Sequence, residues 1–325
     1  MKEKEQGIQN QNTEFREILT NDNSMVIIDL DGTVKEEKNI LWQDGITRRI
    51  YPETLASFIT LKKNNISLGI ATDQSFLEVN SLKDQISELI NKFDRTIILE
   101  IVDWPIICEG GTIVVRSGKS EIMASKNAME ERSIILSWLS KNILPLEDGW
   151  GLLQGVNIDE STYIQLPKDI FQGVAMISLW KKGSSVSEDS LYINKYLKIQ
   201  EKVERQMVEL GINDLMTYEV GNRTLRIVPK NIDKSYQLRL LLEKNQLNGK
   251  NYIFFCDGQN DITLSKFIKN MGGKVVAVSN AVGEIHEVAD YSCKNPCDLG
   301  FSEVIKSMFP EVYQQSLQTI ISSYN

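Results

Sequence analysis

The sequence predicts an α/β protein: a parallel-sheet core with covering helices, and an α+β unit inserted into that core. Strand-like and helix-like segments alternate over 25–118 and again over 225–325, which is typical of a parallel sheet. Over 119–224 the pattern changes to short strand-like segments in hairpins beside helical segments, which indicates a separate inserted domain. Residues 1–24 are rich in Gln, Asn, Glu and Lys and predict a polar arm, with one helical turn at Phe15–Leu19.

The first strand of the core ends in two closely spaced carboxylates. Val26–Ile28 has no polar break and predicts a strand buried on both faces, which runs into Asp29 and is followed by Asp31. Ligands of open α/β sheets bind beyond the carboxyl ends of the strands. Two carboxylates so close repel each other unless a cation compensates, and hard oxygen ligands favour Mg²⁺. Taken alone, this short pattern favours a solvated turn, so the interpretation depends on the rest of the chain.

The later core segments also place polar groups at strand ends and helix starts. Thr72 follows the second strand, Lys234 begins a helix, and Asp257–Asp261 (Asp-Gly-Gln-Asn-Asp) follows another strand. Helices are expected from Pro52, before Phe93, from Lys234, and near 261–270 and 283–289, and strands at 66–71, 97–102, 106–108, 112–115, 252–256 and 274–278. In the inserted unit we expect helices at 126–143 and 188–210, and strands at 151–157, 162–166, 174–180, 215–220 and 224–228.

Composition narrows the function classes. The chain has 325 residues, 42% hydrophobic and 25% charged, which suits a globular protein of two domains. Its net charge of −8 argues against general binding of nucleic acid or acidic membranes, and an anionic substrate would have to meet a local positive site. The chain has no apolar stretch of roughly 18 residues, so we expect no membrane helix. Its N-terminal segment is not apolar, so we expect no signal peptide and a cytoplasmic location.

Cysteine and histidine content argues against two kinds of site. The four cysteines lack a second close pair of ligands, whereas a structural zinc site needs about four, so free thiols are expected. His286, the single histidine, lies in a segment typical of a surface helix. A Ser-His-Asp hydrolase would need that residue as its general base and is therefore not expected.

The polar groups supply the parts of a metal-assisted phosphoryl transfer, and their order resembles a known family. They include a carboxylate nucleophile, a carboxylate for acid/base work, a hydroxyl and an ammonium for phosphate oxygens, and acidic groups for a cation. They resemble the four motifs of the haloacid dehalogenase (HAD) superfamily, in its Cof-type and sucrose-phosphatase-like branches: Asp29-x-Asp31-Gly-Thr, Thr72, Lys234 and Asp257-Gly-Gln-Asn260-Asp261. The resemblance implies a Rossmann-like core domain of 25–118 and 225–325, with an α/β cap at 119–224 that supplies substrate specificity.

The resemblance also implies roles for the acidic residues. Asp29 would attack phosphorus and form an aspartyl phosphate, and Asp31 would protonate the leaving alkoxide and then activate water. The cofactor would be Mg²⁺, held by Asp29, by the main-chain carbonyl of Asp31, and by Asp257. Asp261 would be either a further ligand or the partner of a ligand.

The other matched residues would bind the phosphorylated substrate, and each has a structural alternative. Thr72 and Lys234 would bind phosphoryl oxygens, although Thr72 is equally suited to capping the next helix. A solvated Lys234 is disfavoured because a cation at a helix start opposes the helix dipole. Asn260 would contact phosphate or orient Asp257. Asn280 matches a position near the site more weakly, and a turn residue is an equal alternative.

The chain departs from the branch pattern at two places. The branch has Thr-Gly-Arg at its second motif, whereas this chain has Thr72-Asp73-Gln74. Asp73 therefore puts a negative charge near a phosphate site, where it either tunes substrate choice or points outward. The branch's Glu-Asn-Gly turn is Glu109-Gly110-Gly111 here.

The expected function is a Mg²⁺-dependent phosphatase that hydrolyses a small phosphomonoester, with a sugar phosphate as the first candidate. A phosphomannomutase-like phosphosugar mutase would use the same residues, and the two differ in whether phosphate is released. A non-catalytic sugar-phosphate-binding protein predicts a broken motif, but Asp29 and Asp31 are both present. A response-regulator receiver would be much smaller. Cap residues that could contact the substrate, or pack, are Trp150, Tyr163, Trp180 and Arg223.

Overall fold

The structure is a computed structural model of the chain, and it describes most of the residues. These are 15, 17–19, 24–30, 32–34, 40–41, 47–48, 50–74, 76–93, 105–116, 119–143, 150–152, 177–181, 189–220, 224–245 and 251–322. Asp31 and the strands predicted at 97–102 and 162–166 lie outside the described residues.

The described strands and helices alternate along the chain much as the sequence predicts. The strands are β1 (Met25–Ile28), β2 (Ile40–Leu41), β3 (Thr47–Arg48), β4 (Ser67–Ala71), β5 (Ile106–Cys108), β6 (Ile113–Arg116), β7 (Lys119–Ile122), β8 (Trp150–Leu152), β9 (Ile177–Lys181), β10 (Leu215–Val220), β11 (Thr224–Pro229), β12 (Tyr252–Cys256), β13 (Lys274–Ala277) and β14 (Tyr291–Ser292). The helices are α1 (Pro52–Lys63), α2 (Phe76–Phe93), α3 (Lys126–Asn142), α4 (Asp189–Glu209), α5 (Lys234–Asn245), α6 (Ile262–Asn270), α7 (Gly283–Val288), α8 (Cys297–Met308) and α9 (Pro310–Ser322).

The core is an eight-stranded sheet in the order β14-β13-β12-β1-β4-β5-β6-β7. Neighbouring strands are parallel from β14 to β5, and β6 and β7 continue the sheet in antiparallel pairs. β1 lies between β12 and β4, and its side chains are buried on both faces: Val26 and Ile28 join one hydrophobic cluster and Ile27 joins the other. Burial on both faces is why this strand is an unbroken apolar run. The predicted α/β class is confirmed.

A second sheet is formed by four antiparallel strands in the order β10-β11-β9-β8. One face of this small sheet packs against α3 and α4 in a hydrophobic cluster of its own, which includes Ile135, Val203, Leu225 and Ile227. A separate hydrophobic cluster is what an independent domain requires. The division into a core and an inserted cap nevertheless stays a proposal.

The sheets differ by a few residues from the domain boundaries predicted at 119 and 224. Lys119–Ile122 pairs with β6 and so belongs to the large sheet. Thr224–Pro229 belongs to the small sheet throughout its length. Hydrogen-bonded pairing across β6-β7 and β10-β11 decides these limits, and it is not visible in the hydrophobic pattern of a single strand.

The two C-terminal helices, α8 and α9, have no counterpart in the sequence prediction. Both pack against α1. The buried carboxylate of Asp298 accepts hydrogen bonds from the main-chain N–H of Tyr51 (3.1 Å) and from Oγ1 of Thr54 (2.9 Å), which ties α8 to the start of α1. The spacing of Phe301, Val304, Ile305 and Met308 is helical, so the sequence does contain a signal for α8.

The described part of the polar arm packs into the core at its end. Helical residues occur at 15 and 17–19, as predicted, and the side chains of Phe15 and Leu19 are buried in the large cluster. The ring of Phe15 meets Tyr291 edge-on with centroids 6.1 Å apart. None of the described helices is both long enough and apolar enough to cross a membrane. All four cysteines are free thiols, as expected.

Candidate active site

The candidate site lies at the carboxyl ends of three neighbouring strands, β12, β1 and β4. Asp29 follows β1, Thr72 and Asp73 follow β4, and Asp257 follows β12. Because the strands are parallel and adjacent, their ends meet at one edge of the sheet. The main-chain N–H of Asp29 still donates to the carbonyl of Phe255 at 3.0 Å, so the ladder holds the backbone of Asp29 in place.

Three carboxylates converge at this edge: Asp29, Asp257 and Asp261 each offer an oxygen within 4.8 Å of the others. Asp29 and Asp261 are buried and Asp257 is partly exposed. Oδ1 of Asp29 is buried and accepts no hydrogen bond from the described residues. Converging carboxylate oxygens, one of them without a donor, fit a hard divalent cation such as Mg²⁺.

Lys234 is the buried cation of the site, with its side chain 3% exposed. Its ammonium donates a short hydrogen bond to Oδ1 of Asp261 and lies 3.7 Å from both Oδ1 of Asp29 and Oδ1 of Asp73. Burial alone would lower the pKa of Lys234, but the three carboxylates outweigh it and hold that pKa well above its usual value. Lys234 therefore remains charged.

Asp29 is a buried carboxyl group with other carboxylates close to it. Burial is the largest influence and raises the pKa of Asp29 well above its usual value, and the nearby Asp261 raises it further, while Lys234 opposes both. A divalent cation beside these oxygens would favour the ionised carboxylate again. Asp29 would thus be kept as a carboxylate, the form that can attack phosphorus, by a bound cation together with Lys234.

Asp73 faces the site and is buried, so the outward alternative is wrong. Its Oδ2 accepts hydrogen bonds from the amide of Asn260 and from Nη1 of Arg226, both at 2.7 Å. Burial raises the pKa of Asp73, but Lys234 and Arg226 outweigh that effect, and the net pKa is lowered. Asp73 is therefore an ionised carboxylate between two cations.

Arg226 is the residue that the sequence analysis missed. It lies in β11, between Leu225 and Ile227, whose side chains enter the hydrophobic cluster of the small sheet. Alternation along a strand places Arg226 on the opposite face, where it is only 8% exposed. The signal for Arg226 in the sequence is a charged residue within an otherwise apolar strand.

Thr72 and the Glu109–Gly111 turn support the site from the β4 side. The hydroxyl of Thr72 accepts from the main-chain N–H of Gln74 at 3.2 Å, which closes a local turn ahead of α2. The turn holds this segment through Gly110, whose N–H donates to the carbonyl of Thr72 at 3.4 Å. At Gly111 (φ +102°) a side chain is impossible, because its Cβ would lie 2.6 Å from the carbonyl carbon and oxygen of Asp233. This close approach places Lys234 against the end of β5.

The loop after β1 packs on Asp257. Gly32 has φ +71°, and a Cβ there would lie 2.0 Å from Oδ2 of Asp257, so a glycine is needed. Thr33 donates its hydroxyl to Oδ1 of Asp257 at 3.0 Å. Asn280 donates to the carbonyl of Gly32 (2.9 Å) and to Oδ2 of Asp257 (3.4 Å), and its own Oδ1 accepts from the N–H of Cys297 (2.7 Å).

The structure therefore brings most of the predicted residues together, with some differences in their contacts. Asp29, Lys234, Asp257 and Asp261 share one cluster. Asn280 contacts Asp257 and the loop, and Asn260 contacts Asp73 instead of Asp257. Asp31, Tyr163 and Arg223 lie outside the described residues, and the side chains of Trp150 and Trp180 are not described.

Comparisons with known proteins show which family this chain resembles. A family model described as haloacid dehalogenase-like hydrolase matches residues 26–305. The phosphoglycolate phosphatase of Methanobrevibacter smithii is 26% identical over 132 residues, which is 39% of this chain and 54% of the relative. Phosphoglycolate phosphatase 2 of Saccharolobus solfataricus is 30% identical over 125 residues, 37% of this chain and 47% of the relative. The chain thus matches about half the length of these curated relatives.

Solved structures show the same fold at low identity. A HAD/COF-like hydrolase from Plasmodium vivax has a TM-score of 0.59 and 15% identity, with 91% of this chain and 99% of that chain covered. A haloacid dehalogenase-like hydrolase from Bacteroides thetaiotaomicron has a TM-score of 0.58 and 18% identity, with 88% and 99% covered.

Proposed function

The chain belongs to the haloacid dehalogenase-like hydrolases, and from this premise we propose that it is a Mg²⁺-dependent phosphatase of small phosphomonoesters that works through an aspartyl phosphate. The predicted resemblance to the Cof-type HAD superfamily is confirmed by the family match and the structural neighbours. One observation carries the proposal: carboxylate oxygens of Asp29, Asp257 and Asp261 converge at the strand ends, and the ammonium of Lys234 lies against Asp29 and Asp261.

The residues divide the chemistry among them. Asp29 attacks phosphorus and becomes phosphorylated, and Lys234 stabilises negative charge on the phosphoryl oxygens next to it. Asp31 protonates the leaving alkoxide and later takes a proton from the attacking water. Thr72 contributes a hydroxyl to the phosphoryl group, in addition to its local turn.

Asp29, Asp257 and Asp261 would hold the Mg²⁺, with the main-chain carbonyl of Asp31 as a further ligand. When bound, the cation would neutralise charge on the phosphoryl oxygens. Thr33 and Asn280 would keep the carboxylate of Asp257 oriented toward it, since both donate hydrogen bonds to that group. Asn260 acts through Asp73 in this arrangement.

Two substrate classes are proposed. Sugar phosphates are the first, on the resemblance to the Cof-type and sucrose-phosphatase-like branches. Phosphomonoesters that carry a carboxylate are the second, because both curated relatives are named phosphoglycolate phosphatases and Arg226 offers a second cation beside the site.

Phosphate release tests the proposal. The purified chain is incubated with a panel of phosphomonoesters, including sugar monophosphates, 2-phosphoglycolate and p-nitrophenyl phosphate, with Mg²⁺ or with EDTA. We expect inorganic phosphate in the presence of Mg²⁺ and its loss with EDTA. An isomerised sugar phosphate without phosphate release would indicate a mutase instead, and no turnover of any ester would refute the phosphatase assignment.

A further inference from the structure

We propose that Arg226 is a specificity-determining residue that binds a carboxylate on the leaving group of the substrate, and that Asp73 positions its guanidinium for this purpose. The inference rests on the phosphatase function proposed above and names a substrate class for it: phosphomonoesters with a second negative group close to the phosphate.

Arg226 reaches the strand-end site from a different sheet. Leu225 and Ile227 point into the cluster formed with α3 and α4, so the side chain between them projects from the other face of the small sheet. There Nη1 of Arg226 lies 2.7 Å from Oδ2 of Asp73, and both side chains are less than a tenth exposed. A single strand residue of the small sheet is thus fixed beside the edge that carries Asp29.

Asp73 is suited to holding cations, not to holding phosphate. As an ionised carboxylate it would repel a phosphoryl group, yet it is buried two residues beyond β4. Its oxygens are used by Arg226, by Asn260 and, at 3.7 Å, by Lys234. The carboxylate therefore has one cation near each of its two oxygens and neutralises part of the charge of both.

The two cations face different groups, which separates two binding functions. Lys234 lies against Asp29 and Asp261, on the side where phosphorus would be attacked. Arg226 contacts Oδ2 of Asp73, whereas Lys234 lies nearer its Oδ1. A guanidinium has a planar set of N–H donors, stays charged, and binds carboxylates in a two-bond geometry that lysine cannot reproduce. On a chain of net charge −8, a second anionic group of the substrate needs such a partner.

The same ion pair would also be present if Arg226 served only to hold the small sheet against the core. Pairs of substrates that differ in a single carboxylate distinguish this structural role from substrate binding. Glycerol 3-phosphate differs from 3-phosphoglycerate, and 2-hydroxyethyl phosphate from 2-phosphoglycolate, in having a hydroxymethyl group where the other has a carboxylate. For the intact chain we expect kcat/KM to be higher for the carboxylated member of at least one pair. Equal values in both pairs would overturn the inference.

Arg226→Met should remove this preference. We expect kcat/KM to fall roughly 10- to 100-fold for the carboxylated ester, mainly through KM, and to change little for its neutral partner. Arg226→Lys should restore part of the preference, since the charge returns without the planar donors. Arg205→Met is the matched control, an exposed arginine on α4 in the same unit, and should leave both values unchanged. Equal losses with both esters would mean that Arg226 only ties the sheet in place.

Asp73→Asn tests the positioning role, because it keeps the shape and removes the charge that holds Arg226. We expect KM for the carboxylated ester to rise roughly 3- to 10-fold with kcat almost unchanged. A fall in kcat that is the same for both members of a pair would assign Asp73 to the phosphoryl side and contradict the inference.

A binding measurement keeps this inference separate from the phosphatase proposal. Calorimetric titration of Asp29→Asn protein with 3-phosphoglycerate and glycerol 3-phosphate, in Mg²⁺, requires no turnover. Tighter binding of 3-phosphoglycerate that disappears in Asp29→Asn/Arg226→Met supports the role of Arg226 even if the intact chain releases no phosphate. Equal binding of the two esters would overturn it even if the chain is a phosphatase.

Discussion

The two sheets of the molecule present polar side chains in different ways. In the large sheet the interiors of β1, β4 and β12 are apolar, and the polar groups Asp29, Thr72 and Asp257 follow the last residues of these strands. In the small sheet Arg226 lies in the middle of β11. A parallel sheet covered on both faces leaves only its ends for chemistry, whereas an antiparallel sheet with one covered face can use the other.

From this difference we infer that the two sheets interact with different parts of the substrate. In the proposed mechanism the groups at the strand ends meet the phosphoryl group, which every substrate shares, so their loss should affect all substrates alike. A residue in the middle of a small-sheet strand should affect some substrates more than others. A variant at the strand ends that alters substrate preference would therefore contradict this difference between the sheets.

Asp29→Asn is expected to have the largest effect. Without the nucleophile, phosphate release should fall on the order of 10⁴-fold or more, and by the same factor for 3-phosphoglycerate and glycerol 3-phosphate. Burial and the nearby Asp261 already raise the pKa of Asp29, so a neutral Asn should not lower the Tm measured without Mg²⁺. Wild-type turnover in a pure, folded preparation would refute the assignment of Asp29.

Asp31→Asn is expected to have the second-largest effect on turnover. Loss of the group that protonates the leaving alkoxide should reduce kcat by roughly 10²- to 10⁴-fold. The loss should be smaller for p-nitrophenyl phosphate, whose leaving group needs little protonation. A kcat close to wild type with a sugar phosphate would reject the acid/base role.

Asp257→Asn should weaken the binding of Mg²⁺. We expect the Mg²⁺ concentration for half-maximal activity to rise roughly 10- to 100-fold, since one negative ligand is lost. The increase in Tm on adding Mg²⁺ should shrink in parallel, because a cation that binds only the folded chain stabilises it. An unchanged Mg²⁺ midpoint in both measurements would place the cation away from Asp257.

Asn280→Ala should have the smallest effect. The variant loses the hydrogen bonds to Gly32 and Asp257, so the Mg²⁺ midpoint should rise roughly 3- to 10-fold while kcat at saturating Mg²⁺ stays near wild type. Asn270→Ala, at an exposed asparagine beyond the site, is the control. A change in preference between the two esters of a pair would contradict the division between the sheets.

The fold class and most helices and strands follow from the hydrophobic pattern. Tyr252–Cys256 is predicted to the residue because a strand buried on both faces has no polar break. The helix α8 was overlooked although its apolar spacing is regular. The pairing that assigns β7 to the large sheet is not visible in that pattern, because it depends on a partner strand.

The candidate site is predictable only in part, because some of its contacts also depend on partners that are distant in the sequence. Asp29, Lys234, Asp257 and Asp261 belong to a recognisable order of motifs, and the structure places them together. Asp73 departs from that order, so its direction could not be inferred. Arg226 carries no motif at all.

The sequence by itself determined the α/β class and the residues that we propose as nucleophile, cation and metal ligands. These depend on local patterns: apolar runs that bury strands, and polar groups directly after them. Only the tertiary structure decided that Asp73 points inward and that Arg226, more than 150 positions later, neutralises it. The reason is that a buried charge must find its partner in space, and the strand that provides this partner lies in another sheet.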